Sequence, residues 1–172
     1  MSWDVLERLF GSDFAKKVQE QLQEAQELPE KKLEEIKKFA IPEMARTGET
    51  KVKYKDPETG REFDVVLCHT PNDPRAMNVK KTSAGNWKVG LVCPAVKSLR
   101  GPWISVFLSK EEDARAIEGL PGGTWLLVVG TMREAEYGGD TTYNIRSVGV
   151  IVLRPEDVVD SGIGVGAEGE FP

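Results

Sequence analysis

The stretch between Trp103 and Leu153 limits most strongly what this chain can fold into. It contains three apolar runs, WISVFLS, TWLLVVGTM and YNIRSVGVIVL, and the first two flank a charged segment, KEEDARAIEGL. The runs are typical of strands, whereas the charged segment has acidic residues where a helix begins and stops before Pro121. The stretch therefore predicts a strand, a short helix and two further strands joined by a turn.

A β-hairpin is predicted after Thr50, where the periodicity changes from helical to alternating. In KVKYK the apolar Val52 and Tyr54 share one strand face, and the lysines share the other. The turn DPETG has a proline that presets φ and a glycine that accepts positive φ, and EFDVVLCHT returns as the second strand. Another strand, WKVGLVC, follows a polar connection over residues 70–86, which is long enough to be functional or disordered.

Three helices are predicted before this hairpin. WDVLERLF forms the first, and a second, for which Ser12 offers the N-cap, carries one narrow apolar stripe from Phe14 to Ala25, as a peripheral helix does. The third starts at Pro29, and Pro42 is expected to end it. These helices either cover the β domain or form an arm that docks a partner or a second copy of the chain.

The chain divides into a helical extension over 1–48, a β domain over 49–154 and an acidic, glycine-rich tail over 155–172 that we expect to be flexible. The formal net charge of −5 argues against a polybasic binder. However, residues 51–100 hold ten Lys and Arg against five Asp and Glu, so positive charge is concentrated in the middle.

Hydropathy and composition predict the cellular location of the protein and the kind of organism that it comes from. No apolar run reaches the length of a membrane helix and no cleavable leader is recognisable, so we expect a cytoplasmic protein without membrane partners. The pairing of Glu with Lys and the many turn prolines favour a thermophilic source.

Catalytic and metal-binding signatures are lacking. His69 is the single histidine, and with Cys68 and Cys93 it lacks the spacing of a zinc site. Both cysteines lie in apolar runs and are expected to be buried and reduced. The glycine pairs lie in turns without the context of a phosphate loop. We therefore expect no catalytic residue, no metal and no cofactor, and an enzyme of unrecognised type is the least favoured alternative.

Binding of single-stranded nucleic acid is better supported by the residues. It needs cations for the phosphates and aromatic faces on which bases stack. One strand of the hairpin and the polar connection supply the candidate cations, which are Lys51, Lys53, Lys55, Arg75, Lys80 and Lys81. The lysines of KVKYK also suit a solvated strand face that discourages edge pairing.

The pattern GGTWLLVVGTMREAEYGGDTTYNIRSVGVIVL resembles the closing part of OB-fold proteins that bind single-stranded DNA, such as those similar to replication protein A. From residue 62 to residue 153 the predicted order also matches: three strands, a helix and two strands. The resemblance implies a mainly β fold, a five-stranded Greek-key barrel with a helix between strands three and four, and KVKYK as an extra strand. A six-stranded antiparallel sheet with helices on one face is the alternative.

The resemblance also implies a binding groove on strands two and three and the two loops beside them. The candidates on strands two and three are Trp87, Lys88, Trp103 and Phe107, with Tyr137 in the last loop and Arg146 on the last strand. Trp103 and Phe107 face outward only if the other face of their strand, with Ile104, fills the barrel. The acidic Glu134, Glu136 and Asp140 depart from the family pattern, since they would repel phosphate.

The resemblance implies a non-catalytic protein of DNA replication, DNA repair or RNA handling, with single-stranded DNA favoured as ligand. Protein partners would dock through the N-terminal helices or through the tail, whose ending EGEFP is similar to the acidic tips of bacterial single-strand-binding proteins. A homodimer is compatible with the narrow-striped helix. The alternative is an OB-type interaction or assembly module that binds protein and no nucleic acid.

Overall fold

The computed structural model describes residues 27–159, and of Tyr137 and Val159 only the main chain. The two helices predicted before residue 27 and the ending EGEFP lie outside the described residues. Three helices are described, α1 (Glu30–Thr47), α2 (Glu111–Glu118) and α3 (Pro155–Val159), together with a 3₁₀ turn over Pro74–Met77. None of the helices in this part of the chain is long and apolar enough to cross a membrane.

The strands of the described region form one sheet in the order β1-β2-β6-β7-β5-β4-β3. They are β1 (Lys51–Lys55), β2 (Glu62–His69), β3 (Lys80–Lys81), β4 (Trp87–Val92), β5 (Trp103–Leu108), β6 (Trp125–Tyr137) and β7 (Asp140–Val152). β1 is the predicted extra strand, and it pairs with β2 as the predicted hairpin.

The sheet closes into a five-stranded barrel because β2 also pairs with β4, through His69 and Val92. Around the barrel the order is β2, β4, β5, β7 and β6, and all pairs are antiparallel except β5 with β7. The parallel pair arises because the chain passes from β5 through α2 and β6 before β7 lies beside β5. The predicted mainly β fold with an OB-like barrel is confirmed.

Alternating residues of the barrel strands fill its interior. Val89 and Leu91 of β4, Ile104 and Val106 of β5, and Ile145 of β7 are each no more than 1% exposed. α2 contributes Ala114 and Ile117 to this cluster. The interior therefore takes the aliphatic face of β5, which leaves the opposite face of that strand outside the barrel.

A second core lies outside the barrel, between α1 and the strands β1, β2, β6 and β7. The buried face of α1 carries Ile36, Ala40 and Met44, which pack against a cluster that includes Val65 and Val129. Each fully buried aliphatic side chain contributes about 1.5–3 kcal/mol of transfer free energy. The third predicted helix therefore covers the barrel wall.

The prediction that Pro42 ends this helix is wrong. α1 continues through Pro42 to Thr47, and Gly48 ends it with a left-handed φ of 74° and an N–H donated to the carbonyl of Met44. A proline inside a helix costs about 3 kcal/mol. Met44 lies two residues beyond the proline and is buried. Its burial offsets that cost, because an interrupted helix would leave this side chain in water.

Candidate nucleic-acid interface

The outer face of β5 carries the aromatic candidates. Trp103, Ser105 and Phe107 are half-buried and point away from the barrel, whereas Ile104 and Val106 point into it. Phe107 and Trp103 are four residues apart, so their rings are separated by about 13 Å along the strand. α1 does not cover this side of the barrel.

A row of side chains crosses the sheet at the level of Phe107. In the strand register Lys80 lies beside Lys88, Lys88 beside Phe107, Phe107 beside Arg146, and Arg146 beside Thr131. Residues in register share a face, so all five project outward. Four steps between neighbouring strands span about 19 Å. The row thus brings together three cations and an aromatic ring that are far apart in sequence.

A second row on the same face lies two residues along each strand from the first. Ser105 is in register with Asn144, and Asn144 is in register with Arg133. Between the two rows is an open hollow of about 320 Å³. Its lining consists of Asn86, Phe107, Thr131, Arg133, Asn144 and Arg146. The hollow is polar and cationic, with one aromatic wall.

No described residue neutralises the cations on this face. Lys80, Lys88, Arg133 and Arg146 form no ion pair and no side-chain hydrogen bond with any described residue. Lys80, Arg133 and Arg146 are exposed, and Lys88 is half-buried. Within the described part of the chain, these four positive charges on one face create a local positive potential, although the net charge of the whole chain is negative.

Arg75 behaves differently, although it lies in the same polar connection. Its guanidinium donates to both carboxylate oxygens of Asp73, at 3.2 and 3.1 Å. These hydrogen bonds hold the pKa of Asp73 below its usual value. Asp73 also accepts from the main-chain N–H of Arg75 and begins the 3₁₀ turn. Arg75 therefore stabilises this turn and is partly neutralised.

Two predicted residues lie on the other side of β3 and β4. Lys81 is in register with Trp87, one position out of phase with the pair Lys80 and Lys88. Trp87 packs against the barrel core, and the guanidinium carbon of Arg115 lies 5.4 Å from the centre of its ring. The structure thus does not bring Trp87 to the face that holds Phe107.

The lysines of β1 lie at the other end of the sheet order. Lys53 is in register with Asp64 and Lys55 with Glu62, so these lysines share a strand face with two carboxylates. All three lysines of this strand, Lys51 included, are exposed. They form a separate charged surface and do not line the hollow.

In the hairpin of β6 and β7, Glu134 and Glu136 lie on the strand face opposite to the hollow. Glu134 is in register with Tyr143, which packs towards the barrel core, so Glu134 points away from Arg133 and the hollow. Glu136 is two residues further along β6, so it lies on the same face as Glu134. Asp140 lies on the same face as the hollow but is buried. Its carboxylate accepts a hydrogen bond of 2.9 Å from the main-chain N–H of Leu99. Tyr137 ends β6 opposite Asp140.

Four residues of the hollow were not predicted: Asn86, Thr131, Arg133 and Asn144. The alternation in TMREAEY and TTYNIRS places Thr131 with Arg133, and Asn144 with Arg146, on single strand faces. That periodicity could have identified each pair. Which pairs face each other depends on the register between strands.

The two cysteines sit at the seam that closes the barrel. Because His69 pairs with Val92, the antiparallel register places Cys68 opposite Cys93. Both thiols are buried and free. Burial raises the pKa of Cys68, whereas the hydrogen bond from Cys68 lowers the pKa of Cys93. Within residues 27–159, no three His, Cys, Asp or Glu side chains are placed to hold a metal ion.

The fold with this outer face defines an OB-type barrel protein. No protein-family model matches the sequence, and neither does any curated protein. Among solved structures, the chain is similar to a small single-stranded DNA-binding protein from Streptomyces coelicolor, at 14% identity and a TM-score of 0.34. The match covers 53% of this chain and 93% of that protein. Because this TM-score is low, the class rests on the strand order itself.

Proposed function

We propose that the protein binds single-stranded nucleic acid without catalysis, with single-stranded DNA favoured over RNA. One observation carries the proposal: four cations without ion-pair partners among residues 27–159 share the outer face of β3, β4, β5, β6 and β7 with Phe107 and Trp103. Cations neutralise phosphates, and exposed aromatic rings stack on bases in any sequence. Both requirements meet on one surface.

The arrangement supports a strand that crosses the barrel along the row from Lys80 to Thr131. Lys80, Lys88 and Arg146 would contact phosphates along this row, and Phe107 lies between Lys88 and Arg146. Trp103 is about 13 Å from Phe107, so the two rings stack on bases that are not adjacent. Such a protein would serve DNA replication, DNA repair or RNA handling.

A fluorescence titration with an unstructured oligonucleotide tests the proposal. Binding should quench tryptophan emission, and replacing Phe107 by alanine should weaken binding about 5- to 150-fold, since stacking on an aromatic ring contributes about 1–3 kcal/mol per base. Phe39→Ala is the matched control, because Phe39 is an exposed phenylalanine that lies on α1 beside Tyr54 and away from this face.

The two variants give a clear outcome. Equal affinity of Phe107→Ala and the unmodified protein would remove Phe107 from the interface. Absence of any binding at low salt would overturn nucleic-acid binding altogether, since the electrostatic attraction is strongest there.

A second candidate is a protein-docking OB module that binds no nucleic acid. One feature favours it: Leu99, in the connection between β4 and β5, is 86% exposed. The main-chain N–H of Leu99 donates to Asp140, so under this alternative the exposed side chain would be a contact point for an apolar partner. Under this alternative, Leu99→Ser would reduce capture of a partner protein while oligonucleotides would not bind to either form.

A further inference from the structure

The hollow between the two rows has a character that phosphate binding does not require. Nonspecific attraction to a backbone needs positive charge, but Asn86, Asn144 and Thr131 are neutral hydrogen-bonding groups in the same lining. The amides of Asn86 and Asn144 have no side-chain hydrogen bond within the described chain. Directional donors and acceptors without partners are suited to reading the edge of a base.

The size of the hollow limits what it can hold. At about 320 Å³ it lies at the lower end of the range for ligand clefts, which is about 300–1,000 Å³. Phe107 supplies one wall on which a flat ring can stack. One nucleobase with part of its sugar therefore fits, while a run of stacked bases does not.

The chemistry of the lining distinguishes purines from pyrimidines. A guanidinium fork binds the O6 and N7 atoms of guanine, and an asparagine amide binds the N6 and N7 groups of adenine. Arg133 and Asn144 are in register on adjacent strands and both border the hollow. Pyrimidines have no N7, and in a single strand this edge of a purine is not covered by pairing.

We infer that this hollow is a purine-reading subsite, in which one base stacks on Phe107 and presents its N7 edge to Arg133 and Asn144. The inference rests on the proposed function and deepens it. The protein then binds single strands generally through its cations but prefers a strand that places a purine in the hollow.

The test uses a short oligothymidylate in which one thymidine is replaced, position by position, by guanosine, adenosine or the matching 7-deazapurine. Fluorescence anisotropy on the full chain gives the affinity ratio of each oligonucleotide to plain oligothymidylate. A purine at one position should raise affinity about tenfold, because a good bidentate contact contributes about 1–3 kcal/mol. The 7-deaza base keeps its stacking surface but loses N7, and should abolish most of the gain.

Two variants and a control assign the effect to residues. Arg133→Met should reduce the guanosine ratio, and Asn144→Ala should reduce the adenosine ratio. Ser105→Ala is the control, because Ser105 is in register with Asn144 on the same face but does not line the hollow. Its purine ratio should equal that of the unmodified protein.

The outcomes separate this inference from the proposed function. If all oligonucleotides bind equally well, or if the 7-deaza bases keep the full gain, purine reading through N7 is overturned while nucleic-acid binding stands. If no oligonucleotide binds, both are overturned.

Discussion

The salt dependence of binding can be predicted from the four cations that have no ion-pair partner between residues 27 and 159. For single strands, the slope of log affinity against log salt is about −0.7 per neutralised phosphate. If Lys80, Lys88, Arg133 and Arg146 each contact one phosphate of oligothymidylate, which offers no purine N7 to Arg133, the slope should be about −2.8. Affinity should then fall about fifty-fold between 50 and 200 mM salt.

Removing one cation gives a measurable change in that slope. Arg146→Ala should lower its magnitude to about 2.1, so the same salt step should reduce affinity only about eighteenfold. Arg146 is exposed and has no described partner, so its removal should leave the fold intact. The assay is fluorescence titration with oligothymidylate at several salt concentrations.

Lys53→Ala provides the matched control, since Lys53 is an exposed cation on β1, in register with Asp64 and away from the hollow. It should keep the slope of the unmodified protein. Equal slopes for Arg146→Ala and Lys53→Ala would refute the reasoning, because binding would then follow total charge and not the face of β5 and β7.

Three further predictions concern stability and reactivity. Gly130→Ala should lower the free energy of unfolding in urea by about 1–3 kcal/mol, because a Cβ there would collide with the main-chain oxygen of Arg146 at the bulge; unchanged stability would contradict the register. Asp56→Asn should lower the melting temperature at neutral pH, since the amide of Glu58 donates to the Asp56 carboxylate and depresses its pKa. This stability is present above the usual pKa of 3.8 and is lost as pH falls through the folded value, so the difference between the two forms should shrink in acid. The two buried thiols should react with a thiol reagent only after unfolding, and fast reaction in the native state would show an open barrel seam.

Much of the barrel follows from local patterns. Alternation in WISVFLS assigns Ile104 to the interior and Phe107 to the outside, because successive side chains of a strand point to opposite faces. The proline and glycine of DPETG likewise determine the hairpin of β1 and β2. These features depend on residues a few positions apart, so the sequence suffices for them.

The helix boundary shows where local rules fail. Proline signals an end at Pro42, but α1 continues because Met44 is buried against the barrel wall. A contact between distant segments outweighs a local preference when it buries enough apolar surface. Only the tertiary structure could decide this boundary.

The candidate site depends on tertiary structure still more. The sequence by itself determined that Trp103 and Phe107 share a face and that cations are concentrated upstream. The structure decided that Arg133 and Asn144 lie beside Phe107, that Trp87 does not, and that Glu134 points away. The physical reason is that periodicity is a property of one strand, whereas register between strands is set by non-local packing and hydrogen bonding.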